Sequence, residues 1–176
     1  MRKQKGFSLI ELLIVVAIIL IIAAIAIPNL MRSRIAANNS AAAATVRTLN
    51  TAEATYTSLY SNSGYGALNA LGPGATSTCG TPSSTNACII DGTLGCNAGV
   101  SGTKCQRDNF FYLITINASG ADYVIEAWPI ASTQGNKDYC SAPDMVVRSQ
   151  PDNNPSAGGP GVTTDSGCQG GSFSPI

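Results

Sequence analysis

The chain contains no histidine in 176 residues, and charged side chains make up only 11% of it. Histidine is the commonest general base and a frequent metal ligand, so its absence argues against an enzyme. Haem is disfavoured on the same ground, and no Cys-x-x-Cys-His attachment pattern occurs. Lys and Arg balance Asp and Glu at ten each, but setting aside Arg2, Lys3 and Lys5 at the front leaves seven basic against ten acidic residues, a charge of minus three. No basic surface is evident that would neutralise phosphates, and no direct nucleic-acid binding is predicted. Proline and glycine are missing from residues 31 to 60, which removes the two strongest helix breakers from that stretch. Between Leu12 and Ile27 there is no polar side chain at all.

What is present begins with that run. Phe7 to Ile10 extend it to a length that crosses a bilayer core at about 1.5 Å rise per residue. One carboxylate, Glu11, lies within it. A charge in hydrocarbon costs roughly 2.5 to 3.5 kcal/mol even on mild insertion scales, so Glu11 needs a partner or a purpose.

Gly6-Phe7-Ser8-Leu9-Ile10-Glu11, preceded by Arg2, Lys3 and Lys5 and followed by Ile27-Pro28-Asn29-Leu30 at the end of the run, resembles the type IV pilin-like family with its prepilin leader. The resemblance is strong from Met1 to about Tyr60 and holds only in outline beyond. It implies that a prepilin peptidase cuts between Gly6 and Phe7 on the cytoplasmic side and methylates the new amino group of Phe7, leaving the apolar segment in the mature protein. It also implies an assembly role for Glu11, whose carboxylate would meet the amino group of Phe7 on an adjacent subunit inside a low-dielectric helical bundle.

Two plainer readings stand beside it. An ordinary secretory signal would combine the basic start and apolar core with Ala24-Ile25-Ala26 as a cleavage site, but Glu11 would then interrupt the core. A simple single-pass anchor would leave Glu11 without purpose. Three basic residues precede the span and Arg32 and Arg34 follow it, a slight bias that places the amino terminus in the cytoplasm.

Cysteines at 79, 88, 96, 105, 140 and 168 suit an oxidising compartment and allow fifteen pairings. The rival, zinc, lacks its usual closely spaced pairs. The pairing expected is Cys79 with Cys88, Cys96 with Cys105, and Cys140 with Cys168.

Past Pro28 the chain turns amphipathic. Ala42, Val46, Leu49, Ala52, Tyr56 and Leu59 recur at helical steps and form one stripe, with Arg47, Thr48, Asn50 and Thr51 opposite. A helix from about Phe7 to Tyr60 is predicted, kinked or locally opened at Pro28, where an amide donor is lost. Tyr56 and Tyr60, one turn apart, are read as packing partners rather than an electron path. Ser61-Asn62-Ser63-Gly64 ends the helix.

The predicted organisation is α+β: leader 1–6, transmembrane or filament-core helix 7–30, amphipathic helix 31–60, a Cys/Gly-rich loop region 61–108, an antiparallel β-meander 109–150 and a C-terminal tail 151–176. Strands are expected at 110–116, 123–128 and 144–149, with a turn at 117–120. Phe110, Tyr112 and Trp128 are assigned to the core. The tail, poor in apolar residues, should be exposed and pinned by Cys168.

No catalytic residue, metal site or cofactor is assigned. Calcium is the one alternative raised, because the resembled family includes secretion pseudopilins that bind it near this end, with Asp138, Asp144, Asp152, Asn153, Asn154 and Asp165 as oxygen donors; their spacing is not that of an ordered loop site. The predicted function is a structural subunit of a type IV pilus serving adhesion, twitching motility or DNA uptake. Alternatives are a pseudopilin of a type II secretion system and a minor tip subunit that binds through the cysteine-rich loop. Predicted partners are identical subunits, prepilin peptidase, an inner-membrane assembly platform and the membrane. The protein would sit in the inner membrane with its amino terminus cytoplasmic, then on the cell surface in a filament. Asn38-Asn39-Ser40 and Asn117-Ala118-Ser119 match the glycosylation acceptor pattern, an assignment left open by sequence alone.

Overall fold

The computed structural model describes residues 7–74, 78–95, 104–152 and 159–176. It divides into two compact units, Met1–Arg34 and Ile35–Ile176. Helix α1 (Leu9–Leu59) belongs to both and stays helical through Pro28. Within the first unit the large apolar side chains of α1 are exposed, and none of its apolar window is buried within the chain.

The second unit packs the rest of α1 on a sheet. Ala42, Ala43, Val46, Leu49, Ala52 and Tyr56 are buried, the 3.6-residue period having placed them along one face. Against them lies a six-stranded antiparallel sheet in sequence order: β1 (Cys105–Arg107), β2 (Phe110–Ile116), β3 (Tyr123–Pro129), β4 (Lys137–Ser141), β5 (Arg148–Pro151) and β6 (Ser174–Pro175). Alternate residues of β2 and β3 (Phe110, Tyr112, Ile114, Tyr123, Ile125 and Ala127) join the helix in one core cluster, completed by Leu68 and Leu71 of the short helix α2 (Leu68–Leu71) and by Ala87, Ile90 and Leu94.

Two details of the helical stripe differ from expectation. Leu59, the last residue of the helix, is 63% exposed. Asn50 is buried rather than solvated. Its Nδ2 donates to Ser141 Oγ at 2.8 Å and its Oδ1 accepts from the Tyr123 hydroxyl at 3.1 Å. Those bonds satisfy the amide where the helix crosses β3 and β4.

The sheet also departs from a three-strand meander. The strand expected at 144–149 is a turn followed by a strand. Asp144 Oδ1 accepts from Val146 N at 3.1 Å, its carboxylate pairs with Arg148, and Met145 sits at φ +59°, so the chain bends before β5 begins at Arg148. β1 and β6 also lie outside the three expected strands, and the longest unexpected strand is β4. Its sequence, Lys-Asp-Tyr-Cys-Ser, lacks apolar alternation because only Tyr139 joins the helix-side core, whereas Cys140 enters a second cluster.

The carboxyl-terminal segment is largely exposed over residues 159–176 and is pinned at Cys168, as expected, and it forms a strap with structure of its own. Helix α3 (Asp165–Gln169) is capped by Thr164, whose Oγ1 accepts from Gly167 N at 3.2 Å. Cys168 and Phe173 are buried with Val124, Cys140 and Ala142, and β6 pairs with β5. The reason lies in β3, whose seven residues are all buried. Successive residues face opposite sides of a strand, so Val124, Glu126 and Trp128 need a cover of their own. Gly159, at φ +82°, lies against the indole of Trp128, where an added Cβ would come within 2.8 Å of the ring.

Candidate assembly segment

The first turn of α1 is built by Ser8 and Glu11. The Ser8 backbone amide donates to Glu11 Oε2 at 3.0 Å, and Leu12 N reaches Ser8 O at 3.3 Å. Helix starts leave amide donors without intrahelical partners, and a Glu three residues past the cap that reaches back to it is one half of a capping box. The signal was in the sequence, Ser-x-x-Glu, but was not used in reading it. Phe7, just outside the helix, is 85% exposed; Gly6, on the other side of the predicted cleavage point, lies outside the described residues.

Beyond Glu11 the helix presents apolar surface all round. Leu12, Ile14, Ile18, Ile21 and Ile25 range from 51% to 65% exposed. A helix apolar on every side is stable only when surrounded by lipid or by other apolar helices, and this one is long and apolar enough to cross a membrane. Pro28 sits inside the same helix. Lacking an amide hydrogen, it leaves the carbonyl one turn earlier without its usual donor.

The second unit carries its own unusual groups, of which only Asp138 was singled out from sequence. Glu53 is fully buried on α1; Oε2 accepts from Gly66 N at 3.0 Å while Oε1 has no partner among the described residues. Burial pushes its carboxyl up to about 8, with the Gly66 amide pulling weakly the other way. Beneath the strap, Glu126 Oε1 accepts from Val162 N at 2.7 Å, and burial raises its carboxyl to about 7. Asp138, bonded to Gln150 at 3.3 Å, is raised by burial to about 6.

Cys79 is bonded to Cys88 and Cys140 to Cys168. Cys105 is also disulfide-bonded; Cys96, its expected partner, lies outside the described residues. Of the suggested calcium donors, Asp144 pairs with Arg148, Asp165 Oδ1 accepts from Gln169, and Asp138 faces Gln150. Asn153 and Asn154 lie outside the described residues. Among the described residues no three His, Cys, Asp or Glu side chains form a metal-binding group. Tyr56 and Tyr60 stack with ring centroids 5.1 Å apart, and the Tyr56 hydroxyl donates to Ser84 O.

Residues 1–27 match the prokaryotic N-terminal methylation motif, the segment that holds the Gly6-Phe7 junction and Glu11. The chain is 62% identical over 40 residues to the type IV wide pilus major component PilA4 of Thermus thermophilus, a match covering 23% of this chain and 30% of that protein. It is 46% identical over 54 residues to the type IV major pilin protein PilA of Myxococcus xanthus, covering 31% of this chain and 24% of the relative.

Over those residues the chain is similar to type IV pilins.

Its matches span 30% and 24% of the length of those pilins. No solved structure matches it. A long amino-terminal helix packed through its second part on an antiparallel sheet is a pilin-like α+β arrangement.

Proposed function

We propose that this chain is a structural subunit of a type IV pilus. It would be made as a prepilin, cut between Gly6 and Phe7 by prepilin peptidase, methylated on the Phe7 amino group and held in the inner membrane with its amino terminus cytoplasmic. An inner-membrane assembly platform then adds it to a filament of identical subunits. The observation that carries this reading is the exposed apolar surface from Leu9 to Met31, which no described residue of its own unit covers.

Removing that surface from water contributes about 25 cal/mol per Å2, and outside the membrane only contact with like helices supplies it. In such a bundle the Glu11 carboxylate pairs with the Phe7 amino group of the neighbouring subunit. Both charges are desolvated there, so the pair sets axial register more than it adds stability. The role is structural rather than enzymatic. Both matched relatives are named as major pilus components, which favours a pilus over a secretion pseudopilus and a shaft subunit over a tip subunit.

The deciding experiment is mass spectrometry of filaments sheared from the cell surface. This chain should be the dominant protein and should begin at methylated Phe7. A soluble product beginning at Ile27 would exclude the proposal.

A further inference from the structure

We infer that the tip of the β2–β3 hairpin is a glycan acceptor and that Asn117 Nδ2 is the nitrogen modified. The inference rests on the proposed export of the second unit. Two triplets in the chain carry the Asn-x-Ser pattern, and the fold separates them. Asn38 lies within α1, where its Nδ2 donates to Gln134 O at 2.7 Å in a partly buried contact and Ser40 Oγ donates to Ala36 O at 3.0 Å. A transferase would have to unwind the helix and strip that bond to reach the nitrogen.

Asn117, Ala118 and Ser119 are all exposed, in the loop between β2 and β3. Asn117 Oδ1 is the hub of the turn: it accepts from Ala121 N at 3.0 Å, Asp122 N at 3.3 Å and Ser119 Oγ at 3.0 Å. Its Nδ2 has no hydrogen-bond partner among the described residues. Glycosylation substitutes one hydrogen on that nitrogen and leaves the carbonyl oxygen in place, so the three bonds that shape the turn survive modification. The Ser119 hydroxyl also draws electron density toward Oδ1, which makes the N–H more acidic and the nitrogen easier to engage.

Placement favours access as well. Tyr65 N, six residues past the end of α1, donates to Gly120 O of this turn at 3.0 Å, whereas the β3–β4 turn meets Asn38 and Asn39 within α1. About 20 helical residues, roughly 30 Å, lie between the two contacts. In the transfer, Nδ2 attacks the anomeric carbon of a lipid-phosphate-linked sugar. A C–N bond forms as the sugar's C–O bond to phosphate breaks, the phosphate leaves with the electron pair, and one Nδ2 proton passes to the transferase.

The test uses the full chain recovered from membranes and filaments of the cell that makes it, digested and sequenced by electron-transfer fragmentation. A glycan mass increment is expected on Asn117 and none on Asn38. It should be lost in Asn117→Gln and Ser119→Ala chains and kept in Ser119→Thr. An unmodified Asn117 in the native chain, or an increment that maps to the Ser119 hydroxyl or survives Asn117→Gln, overturns the inference. The amino-terminal peptide of the same digest reports independently whether the chain begins at methylated Phe7, so failure of the filament reading is seen separately.

Discussion

The Glu11 carboxylate accepts a hydrogen bond from the Ser8 backbone amide at 3.0 Å. The group proposed to recognise a neighbour's amino terminus therefore closes the first turn of its own helix in the lone subunit. On the proposed reading, assembly would exchange this local bond for an ion pair, and a subunit added out of register would leave a charge unpaired at low dielectric. Helix start and the proposed assembly contact would then be two uses of one side chain.

Substitution can separate those uses. Glutamine serves in a capping box as glutamate does, so Glu11→Gln should keep the helix start and lose the charge, whereas Glu11→Val loses both. Both variants are expected to be processed at Gly6–Phe7 and to enter the membrane, yet to yield at least tenfold fewer filaments. Wild-type filament yield from Glu11→Gln, measured by shearing and quantitative immunoblotting, would show that capping suffices and the charge does not act in assembly.

Stability should fall as the solution becomes alkaline. Glu53 titrates near 8 in the folded chain against a carboxylate's ordinary 4.5, with burial as the cause. The folded state thus holds a proton that the unfolded state has released, and stability present below about 4.5 drains away as pH rises through 8. Glu126, raised to about 7, adds in the same direction over the lower part of that window. Urea unfolding of the detergent-solubilised chain, followed by fluorescence of its single tryptophan, should show midpoints falling from pH 5 to pH 8. Glu53→Gln should flatten much of that slope; an unchanged slope would mean that Glu53 is ionised in the fold.

Loss of the Cys140–Cys168 bond should loosen the strap. The bond closes a loop of 28 residues in sequence separation, worth roughly 3 to 4 kcal/mol by chain entropy. A Cys140→Ser, Cys168→Ser chain is expected to unfold at lower urea. Its Trp128 emission should shift to the red, because the indole lies under the segment that this bond fixes. Unaltered emission would place the strap's hold on Trp128 elsewhere.

Gly64 is the residue against which the hairpin tip closes. It adopts φ +70°, and an added Cβ would collide with the backbone oxygen of Gly120. Gly64→Ala should therefore cost about 1 to 3 kcal/mol. A Gly64→Ala chain with a wild-type urea midpoint would show that this turn relaxes freely.

Legibility tracked how local the determining physics is. The long helix was readable because its apolar residues repeat at the helical period and nothing interrupts them from 31 to 60. The strands at 110–116 and 123–128 were readable from runs of β-branched and aromatic residues. Strand β4 was not, since Lys137, Asp138 and Cys140 carry no apolar alternation and depend on cover supplied by residues far along the chain. The pinning of the tail by Cys168 was legible, but its secondary structure was not: its few apolar residues, Val162 and Phe173, pack against Val124 and Ala142 beside the Cys140–Cys168 bond. Asn50 and Glu53 looked like ordinary polar helix residues, and nothing in their neighbourhood of sequence announced that both would be buried.

By itself the sequence determined the front of the molecule: a helix apolar on every side, one carboxylate within it, and basic residues before it, each a property of contiguous residues and of the solvent they need. Only the tertiary structure decided how the second unit closes. It chose which helical polar groups lose water, which face of β3 required a strap, and which Asn-x-Ser triplet stays open to solvent. Those outcomes depend on what distant segments bring against a surface, and the free energy of burying a polar group is set by its partners rather than by its identity.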